Sequence, residues 1–158
     1  MVQTDSMVLK IRYVQNKDCK DIYDWRNDIN TRKMSNNTEL ISFEEHQKWF
    51  NSSFKNIKRI ILICEDTIRN KKIGIVHFEL NKDKALISIN INPKLRGKGY
   101  AKECLSASLK FFIKDFQNCR SIDAQIKKVN VASKKTFQSV GFKLLKQDKE
   151  LFYYQLIC

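Results

Sequence analysis

The spacing of hydrophobic residues changes from segment to segment along the chain, and it predicts where strands and helices lie. Alternating or β-branched apolar runs indicate seven strands, over Val8–Val14, Arg59–Glu65, Lys72–Leu80, Ala85–Ile91, Ser121–Ile126, Phe142–Leu145 and Leu151–Ile157. Apolar residues at helical spacing indicate four helices, over Asp18–Trp25, from Ser42 onward, over Tyr100–Phe116 and over Ala132–Val140. The predicted order, β-α-α-β-β-β-α-β-α-β-β, is typical of an α/β domain with a mixed sheet.

Cap and turn residues mark the ends of several of these elements. Ser42 and Glu45 have the spacing of a capping box at the start of a helix. The polar stretch Asn81–Lys84 is typical of a tight hairpin, and Gly141 is suited to the cap after a helix. Because no repeat, linker or low-complexity tract interrupts the 158 residues, we expect one domain over residues 1–158.

Composition excludes several protein classes. With 42% hydrophobic and 30% charged residues, the chain is neither disordered nor of low complexity. The longest apolar run, Ile60–Cys64, is far short of the roughly 20 residues that span a bilayer. Five scattered cysteines without a C-x-x-C pair indicate reduced thiols and no zinc site. Since Met1–Lys10 does not resemble a signal peptide, we expect a cytoplasmic protein without membrane insertion.

The net charge of +13 is concentrated in the second part of the chain, where residues 94–158 hold 14 basic and 5 acidic side chains. Such a field attracts partners that carry phosphate: nucleic acid, a nucleotide cofactor or an anionic membrane. A composition rich in Lys, Asn and Ile also follows from AT-rich codons, so the charge alone does not decide between these interpretations.

A basic loop that contains two glycines joins the fourth predicted strand to the long helix. It follows Pro93, the one proline of the chain, and it includes Gly97 and Gly99. Glycines allow a ligand to approach the backbone closely, and a helix N-terminus presents unpaired N–H groups. With added charge from Arg96, Lys98 and Lys102, the loop predicts a site for a pyrophosphate. Its spacing matches neither the P-loop nor G-x-G-x-x-G.

Two motifs in this region resemble one known family. Arg96-x-x-Gly99-x-Ala101 resembles the acetyl-coenzyme A signature of the GNAT acetyltransferases. A second family block is similar to Asn130-x-x-Ser133-x-x-x-Phe137-x-x-x-Gly141-Phe142. Both motifs stand in the family's order, each at a predicted junction between a strand and a helix.

The resemblance implies a GNAT fold, in which one mixed, mostly antiparallel sheet of about seven strands splays between strands 4 and 5 and is flanked by about four helices. It implies acetyl-coenzyme A as cosubstrate and no metal. The pantetheine arm would pair with the exposed strand edge near Ile89–Ile91, where a backbone N–H would hold the acetyl carbonyl. The implied cofactor-binding residues are Ile89, Ile91, Arg96, Gly97, Lys98, Gly99, Tyr100, Ala101, Lys102, Asn130, Ser133 and Phe137.

The catalytic residues are less clear, because the chain departs from the family pattern. Phe137 stands where the family commonly has a tyrosine that protonates the leaving thiolate, so Ser133 or water would have to replace it. Strand 4 carries no carboxylate to serve as general base. His77 and Glu79 on strand 3 share one side of that strand and are the candidate bases. A structural histidine and a solvated carboxylate are the competing interpretations.

The first third of the chain indicates the acceptor. A Trp25-Arg26-Asn27 element, a helix that begins Phe43-Glu44-Glu45-His46, and Glu150–Tyr154 resemble the nucleotide-linked aminosugar N-acetyltransferases of the pseudaminic acid type. A guanidinium can bind a diphosphate bidentately, and aromatic rings can stack on a base or sugar. The expected acceptor is a UDP-aminosugar, with Trp25, Arg26, Asn27, His46, Trp49 and Tyr154 as binding residues. Core packing is the alternative for both tryptophans.

Three other functions fit parts of the sequence. A RimJ-like protein N-terminal acetyltransferase shares the Trp-Arg-Asn element. A sensor that binds acyl-coenzyme A without efficient catalysis fits Phe137 and the missing carboxylate. A nucleic-acid-binding module fits the charge of +13, but it lacks interleaved aromatic and basic residues, so we expect no nucleic acid partner. The oligomeric state, monomer or homodimer, is left open.

Overall fold

The computed structural model describes residues 8–158, which form seven strands and five α-helices. The strands are β1 (Leu9–Tyr13), β2 (Arg59–Asp66), β3 (Lys71–Asn81), β4 (Lys84–Ile91), β5 (Ser121–Lys127), β6 (Lys143–Gln147) and β7 (Leu151–Ile157). The helices are α1 (Cys19–Asn27), α2 (Ile29–Met34), α3 (Phe43–Lys55), α4 (Tyr100–Asp115) and α5 (Val131–Ser139). Short 3-10 turns cover Asn16–Asp18 and Pro93–Leu95.

The strands form one sheet in the order β1-β2-β3-β4-β5-β7-β6. Every neighbouring pair is antiparallel except β4 and β5, which run parallel. The predicted GNAT fold, with its mixed and mostly antiparallel sheet, is therefore confirmed. The hairpin predicted at Asn81–Lys84 is also present: these two residues pair, and Lys82 takes the positive φ of 57° that a tight turn requires.

Helix α2 is the element that the hydrophobic pattern does not predict. It has six residues, none of them buried, so it contributes no apolar stripe to the sequence. Asp28 separates it from α1 and caps it, because its carboxylate accepts a hydrogen bond from the N–H of Thr31 at 3.1 Å. The predicted cap of α3 is present as well, since the Ser42 hydroxyl accepts from the N–H of Glu45 at 3.2 Å.

Each face of the sheet is covered by its own set of helices. On one face α4 and α5 pack against a large core that includes Leu62, Phe78 and Phe112. On the other face α1 and α3 bury a smaller cluster, which consists of Ile22, Trp25, Phe50, Ile61, Ile63 and Ile75. The alternation along β2 explains this division, because Ile61 and Ile63 face the second cluster while their neighbours face the first.

A buried carboxylate joins β1, the start of α1 and β3. Asp18 is fully buried, and Arg12 donates to both of its oxygens at 2.8 Å. The ammonium of Lys72 lies 2.8 Å from the same carboxylate, and the N–H of Gln15 donates to it at 2.7 Å. Burial alone would raise the pKa of Asp18, but these hydrogen bonds outweigh it and hold the pKa well below its usual value.

Candidate active site

Strands β4 and β5 separate beyond their first three residue pairs, and this opens a cleft in the middle of the sheet. Their parallel pairing covers only Lys84–Leu86 against Ser121–Asp123. The remaining half of β4 pairs with β3 alone. The hairpin register and the hydrogen bond from Asn92 N–H to the Ile73 carbonyl at 2.8 Å fix which peptide groups of β4 pair with β3. They are the N–H and C=O groups of the even-numbered residues. The peptide groups of Ile89 and Ile91 therefore point into the cleft, beyond the end of the pairing with β5.

The loop between β4 and α4 lies at the end of this cleft. Gly97 and Gly99 have φ of 74° and 80°, in the left-handed region that favours glycine. A Cβ placed on either glycine would meet no protein atom within 4 Å, so the space beside the loop is open. Gly99 is the N-cap of α4 and offers no side chain to the first N–H groups of that helix. These free donors, beside Lys102, suit a pyrophosphate.

A cavity of about 850 Å³ extends from this loop across the cleft to helices α1, α2 and α3. Of the residues that the sequence assigns to the coenzyme, those lining the cavity are Ile89, Ile91, Arg96, Gly97, Gly99, Tyr100, Ala101, Lys102, Asn130 and Ser133. Asn130 caps α5 by accepting from the N–H of Ser133 at 3.1 Å. The cavity is thus large enough for an extended ligand. Residues of both sequence motifs line the half of the cavity next to the loop, which we call the cofactor half.

Two residues that the resemblance assigns to the coenzyme are not among those that line the cavity, and their binding role stays a prediction. Lys98 is exposed and outside the cavity lining. Phe137 is 3% exposed, is absent from the lining, and packs edge-on against Phe142 with the ring centroids 5.0 Å apart. An aromatic side chain at this position completes the core between α5 and the sheet.

Arg96 lines the cavity, but its guanidinium has protein partners. It donates to the Asp28 carboxylate at 2.8 Å and to the Thr31 hydroxyl. Burial tends to raise the pKa of Asp28, while the Thr31 N–H and the Arg96 charge lower it, and the net pKa lies below its usual value. The arginine of the first motif thus contacts the acceptor-side helix α2.

The acceptor half of the cavity lies between the sheet and helices α1 to α3. Arg26 of α1 and Trp49 of α3 contribute to its lining, and so do His77, Ser88 and Asn90 of the sheet. His77 pairs directly with Ser88 across β3 and β4, which puts both side chains on the same face. The lining includes no Asp or Glu in the part of the chain that the structure describes. Arg26 has no hydrogen bond or ion pair to residues 8–158.

His77 is one of the residues that line this half of the cavity. Its Nε2 is buried and has no hydrogen-bond partner among the described residues. Burial lowers the pKa of His77 below its usual value, Glu79 partly opposes this, and Arg59 adds to it. The imidazole is therefore neutral near pH 7 and has a nitrogen able to accept a proton. Glu79, the other candidate base, is exposed and lies outside the cavity lining.

His46 reaches the cavity wall, but it is enclosed by aromatic rings and is fully buried. Its Nε2 lies 2.9 Å from the Cys19 carbonyl, which can only accept, so Nε2 carries the proton. Burial lowers the pKa of His46, the bond to Cys19 raises it and Arg26 lowers it further. A neutral ring whose proton is engaged has none to give to a diphosphate. His46 therefore lines the cavity with its proton engaged by Cys19, and its role in acceptor binding stays a prediction.

Three other predicted acceptor residues make their contacts within the fold. Trp25 is 6% exposed and belongs to the core beneath α1. The Asn27 side chain donates to the Ile41 carbonyl at 2.9 Å and accepts from the Ile41 N–H at 3.0 Å, which holds the segment between α2 and α3. Tyr154 is 1% exposed, and its hydroxyl accepts from Gln138. None of the three lines the cavity.

Sequence reasoning missed several polar side chains of the acceptor half. Thr31 of α2 lies in the cavity wall and reaches Asn90 of β4, with 3.4 Å between their side-chain oxygens. Ser88 and Asn90 alternate with isoleucines along β4, and this alternation was a usable signal: in a half-buried strand, polar residues at every second position share a face. Thr31 gave no such signal, because α2 has no periodicity.

Residues 8–158 hold no group of three or more His, Cys, Asp or Glu side chains placed to bind a metal ion. Within the same residues, no helix combines the length and the apolar character needed to cross a membrane.

Comparison with known proteins agrees with this geometry. Residues 9–143 match the family model described as acetyltransferase (GNAT) domain. An uncharacterized protein of Methanocaldococcus jannaschii is 33% identical over 150 residues, which are 92% of this chain and 30% of that protein. The chain thus spans less than a third of the length of this relative.

Solved structures share the fold over nearly the whole chain. A domain from M. jannaschii superposes with a TM-score of 0.80 and 26% identity, and the match covers 97% of this chain and 100% of that domain. A spermidine N-acetyltransferase from Vibrio cholerae, in complex with CoA and spermine, superposes with a TM-score of 0.84 and 19% identity. That match covers 94% of this chain and 95% of the other.

Proposed function

Because the chain belongs to the GNAT acetyltransferases, a family whose cosubstrate is acetyl-coenzyme A, we propose that it acetylates the primary amine of an anionic small molecule. A nucleotide-linked aminosugar is the acceptor that best fits the residues. One observation supports this proposal above the others. Within residues 8–158, Arg26 lines the acceptor half of the cavity without a hydrogen bond or ion pair, and no carboxylate residue lines that half.

The charge of the acceptor half separates the proposed acceptor from a polyamine. A polyamine carries several positive charges, which need carboxylates to replace their hydration inside a pocket. Arg26 would repel such a ligand, and Lys102 adds further positive charge at the cofactor end of the same cavity. A diphosphate has the opposite requirement and binds a guanidinium bidentately. The likeness to spermidine N-acetyltransferases supports the fold, and the charges favour a sugar nucleotide.

The residues of the cleft suit each part of an acetyl transfer. Acetyl-coenzyme A supplies an acetyl group activated as a thioester. The peptide N–H groups of Ile89 and Ile91 are available to the pantetheine amides and to the acetyl carbonyl oxygen. Gly97, Gly99 and Lys102 suit the pyrophosphate.

His77 is the best placed general base in this proposal. Its neutral Nε2 would take the proton that the amine loses when its nitrogen bonds to the acetyl carbon. The bond from that carbon to sulfur then breaks, and the thiolate needs a proton. The Ser133 hydroxyl lies in the cofactor half and would deliver that proton from water.

The test is thiol release from acetyl-coenzyme A by the purified chain with four matched acceptors. They are UDP-glucosamine, free glucosamine, spermidine and a peptide with a free N-terminus. If Arg26 binds the diphosphate, the KM for the UDP-linked sugar should be roughly ten- to a hundredfold below that for the free sugar, since a charge-assisted hydrogen bond contributes about 1.5–3 kcal/mol.

Each other result assigns a different acceptor. Turnover of spermidine with the highest kcat/KM would overturn the anionic acceptor and support a polyamine acetyltransferase. Preference for the peptide would support the RimJ-like alternative. Binding of acetyl-coenzyme A with no turnover of any amine in a broader panel would indicate the sensor.

A further inference from the structure

Helix α2 forms part of the acceptor wall, although no hydrophobic packing holds it there. None of its six residues is buried, while Thr31 and Met34 line the cavity. Apolar contacts therefore do not fix its position, and its polar contacts must do so.

These polar contacts differ in strength on the two sides of the cleft. On the β5 side, Lys127 donates to the Lys33 carbonyl at 3.2 Å, and Asn36 lies 3.5 Å from Gln125; both contacts are exposed. On the β4 side, Arg96 bonds the Asp28 carboxylate at 2.8 Å and also the Thr31 hydroxyl. This second set is partly buried and charge-assisted, so it is the stronger anchor.

We propose that Arg96 is a positioning residue for the acceptor site. Through Asp28 and Thr31 it fixes α2 over the cleft, and Thr31 in turn reaches Asn90 beside the free edge of β4. Because the guanidinium already donates hydrogen bonds to Asp28 and Thr31, it is not free to bind a phosphate. The pyrophosphate therefore relies on the free N–H groups at the start of α4 and on Lys102. The anchoring of α2 by Arg96 concerns the chain alone, whereas the statement about the pyrophosphate rests on the proposed function.

Hydrogen exchange of the free protein, labelled on the millisecond-to-second scale, tests the anchor. Arg96→Gln removes the guanidinium. Asp28→Asn removes the carboxylate charge but keeps a good helix cap. Both variants should raise exchange of the amides of residues 29–35 by about tenfold, the effect of losing one charge-assisted bond. Lys94→Gln, which removes a nearby exposed charge, should leave the exchange of these amides unchanged.

Two further variants separate a shared bond from general loosening. The double variant of Arg96 and Asp28 should exchange no faster than the faster single variant, because both changes remove the same interaction. Arg96→Lys should restore part of the protection, since an ammonium can pair with Asp28 but cannot also reach Thr31 as a planar fork does. Additive effects, or unchanged exchange in both single variants, would overturn the anchor.

Titration with acetyl-coenzyme A tests whether the pyrophosphate relies on Lys102 and not on Arg96. Arg96→Gln and Lys94→Gln should weaken binding about equally, because each removes one positive charge near the anionic ligand. Lys102→Gln should weaken it more. Tenfold weaker binding for Arg96→Gln than for Lys94→Gln would instead assign Arg96 to the pyrophosphate. If the wild-type chain does not bind acetyl-coenzyme A, the proposed function fails, and the exchange experiment still decides whether Arg96 anchors α2.

Discussion

The ring of Trp49 meets the ring of His77 edge-on, at an angle of 84° and with the ring centroids 6.1 Å apart. The guanidinium of Arg59 lies 6.0 Å from the centroid of the same tryptophan. Trp49 is thus an apolar neighbour of His77, and the positive charge of Arg59 lies beside the same tryptophan. Both conditions oppose a positive charge on the imidazole.

This environment predicts the pH dependence of the reaction. Burial and the nearby Arg59 hold the pKa of His77 below its usual value, although the charge of Glu79 opposes this. The acid limb of kcat/KM should therefore lie below pH 6.5, because protonation of the base stops the reaction. His77→Gln should remove this limb and lower kcat by about 10²–10⁴-fold. If Glu79→Gln removes the acid limb of kcat/KM and His77→Gln does not, Glu79 is the base that takes the proton from the amine.

The buried position of Phe137 predicts that a tyrosine there will not act as the missing acid. The added hydroxyl would enter a core contact with Phe142, at a cost of about 1–3 kcal/mol unless it finds a hydrogen-bond partner. We expect Phe137→Tyr to lower the unfolding free energy without raising kcat. Ser133→Ala should lower kcat, whereas Ser139→Ala on the exposed side of α5 should not. A rise in kcat for Phe137→Tyr would show that the hydroxyl reaches the thiolate.

The open space beside Gly99 predicts a selective loss of cofactor binding. Gly99→Val places a side chain where no protein atom lies within 4 Å, on a backbone with φ of 80°. Gly141→Val is the matched control, because its φ is 104° and it lies outside the cavity. At 100 times Kd, acetyl-coenzyme A should stabilise the wild type and the control by about 2.7 kcal/mol, measured by thermal unfolding. The Gly99 variant should show no gain; a full gain would move the pyrophosphate elsewhere.

Most of the fold was predictable because long elements carry periodic hydrophobic patterns. β7 was predicted with its observed bounds, and α4 differs from its prediction only at Phe116. Helix α2 could not be predicted, since a six-residue helix held by polar contacts has no apolar period. The loss of pairing between β4 and β5 after Leu86 came from the family resemblance, because strand propensity does not show where two neighbours diverge.

The candidate site divides in the same way. The cofactor half depends on backbone conformation, so glycines and a helix start revealed it in the sequence. The acceptor half depends on which side chains meet across β3, β4 and three helices. Arg26 lines the cavity, yet its neighbour Trp25 faces the core. A one-residue step along a helix turns the side chain by about 100°, and the sequence motif did not distinguish the two.

The buried Asp18 network predicts acid sensitivity of the fold. The pKa of Asp18 is lower in the folded chain than in the unfolded one, so its contribution is present above about pH 5 and is lost as the pH falls. Asp18→Asn should lower the unfolding free energy at pH 7 by about 3–5 kcal/mol, because Arg12 and Lys72 lose a buried partner. Asp24→Asn, in an exposed pair with Lys20, should cost less than about 1 kcal/mol.

Urea unfolding at pH 7 and pH 3 measures both effects. The difference between wild type and Asp18→Asn should shrink at pH 3, where Asp18 takes up a proton in the unfolded chain but stays ionised in the folded one. An equal difference at both pH values would mean that the variant acts through packing and not through charge.

Arg26 predicts the sharpest distinction between acceptor classes. Arg26→Ala should raise the KM for UDP-glucosamine by roughly ten- to a hundredfold and leave acetyl-coenzyme A affinity unchanged, since Arg26 lies in the acceptor half. Arg26→Lys should recover part of this loss, because an ammonium cannot form the bidentate contact. Lys48→Ala, which removes an exposed charge from α3, is the control. Equal weakening of both substrates would make Arg26 structural. A lower KM for spermidine than for UDP-glucosamine in the wild type would favour a polyamine acceptor.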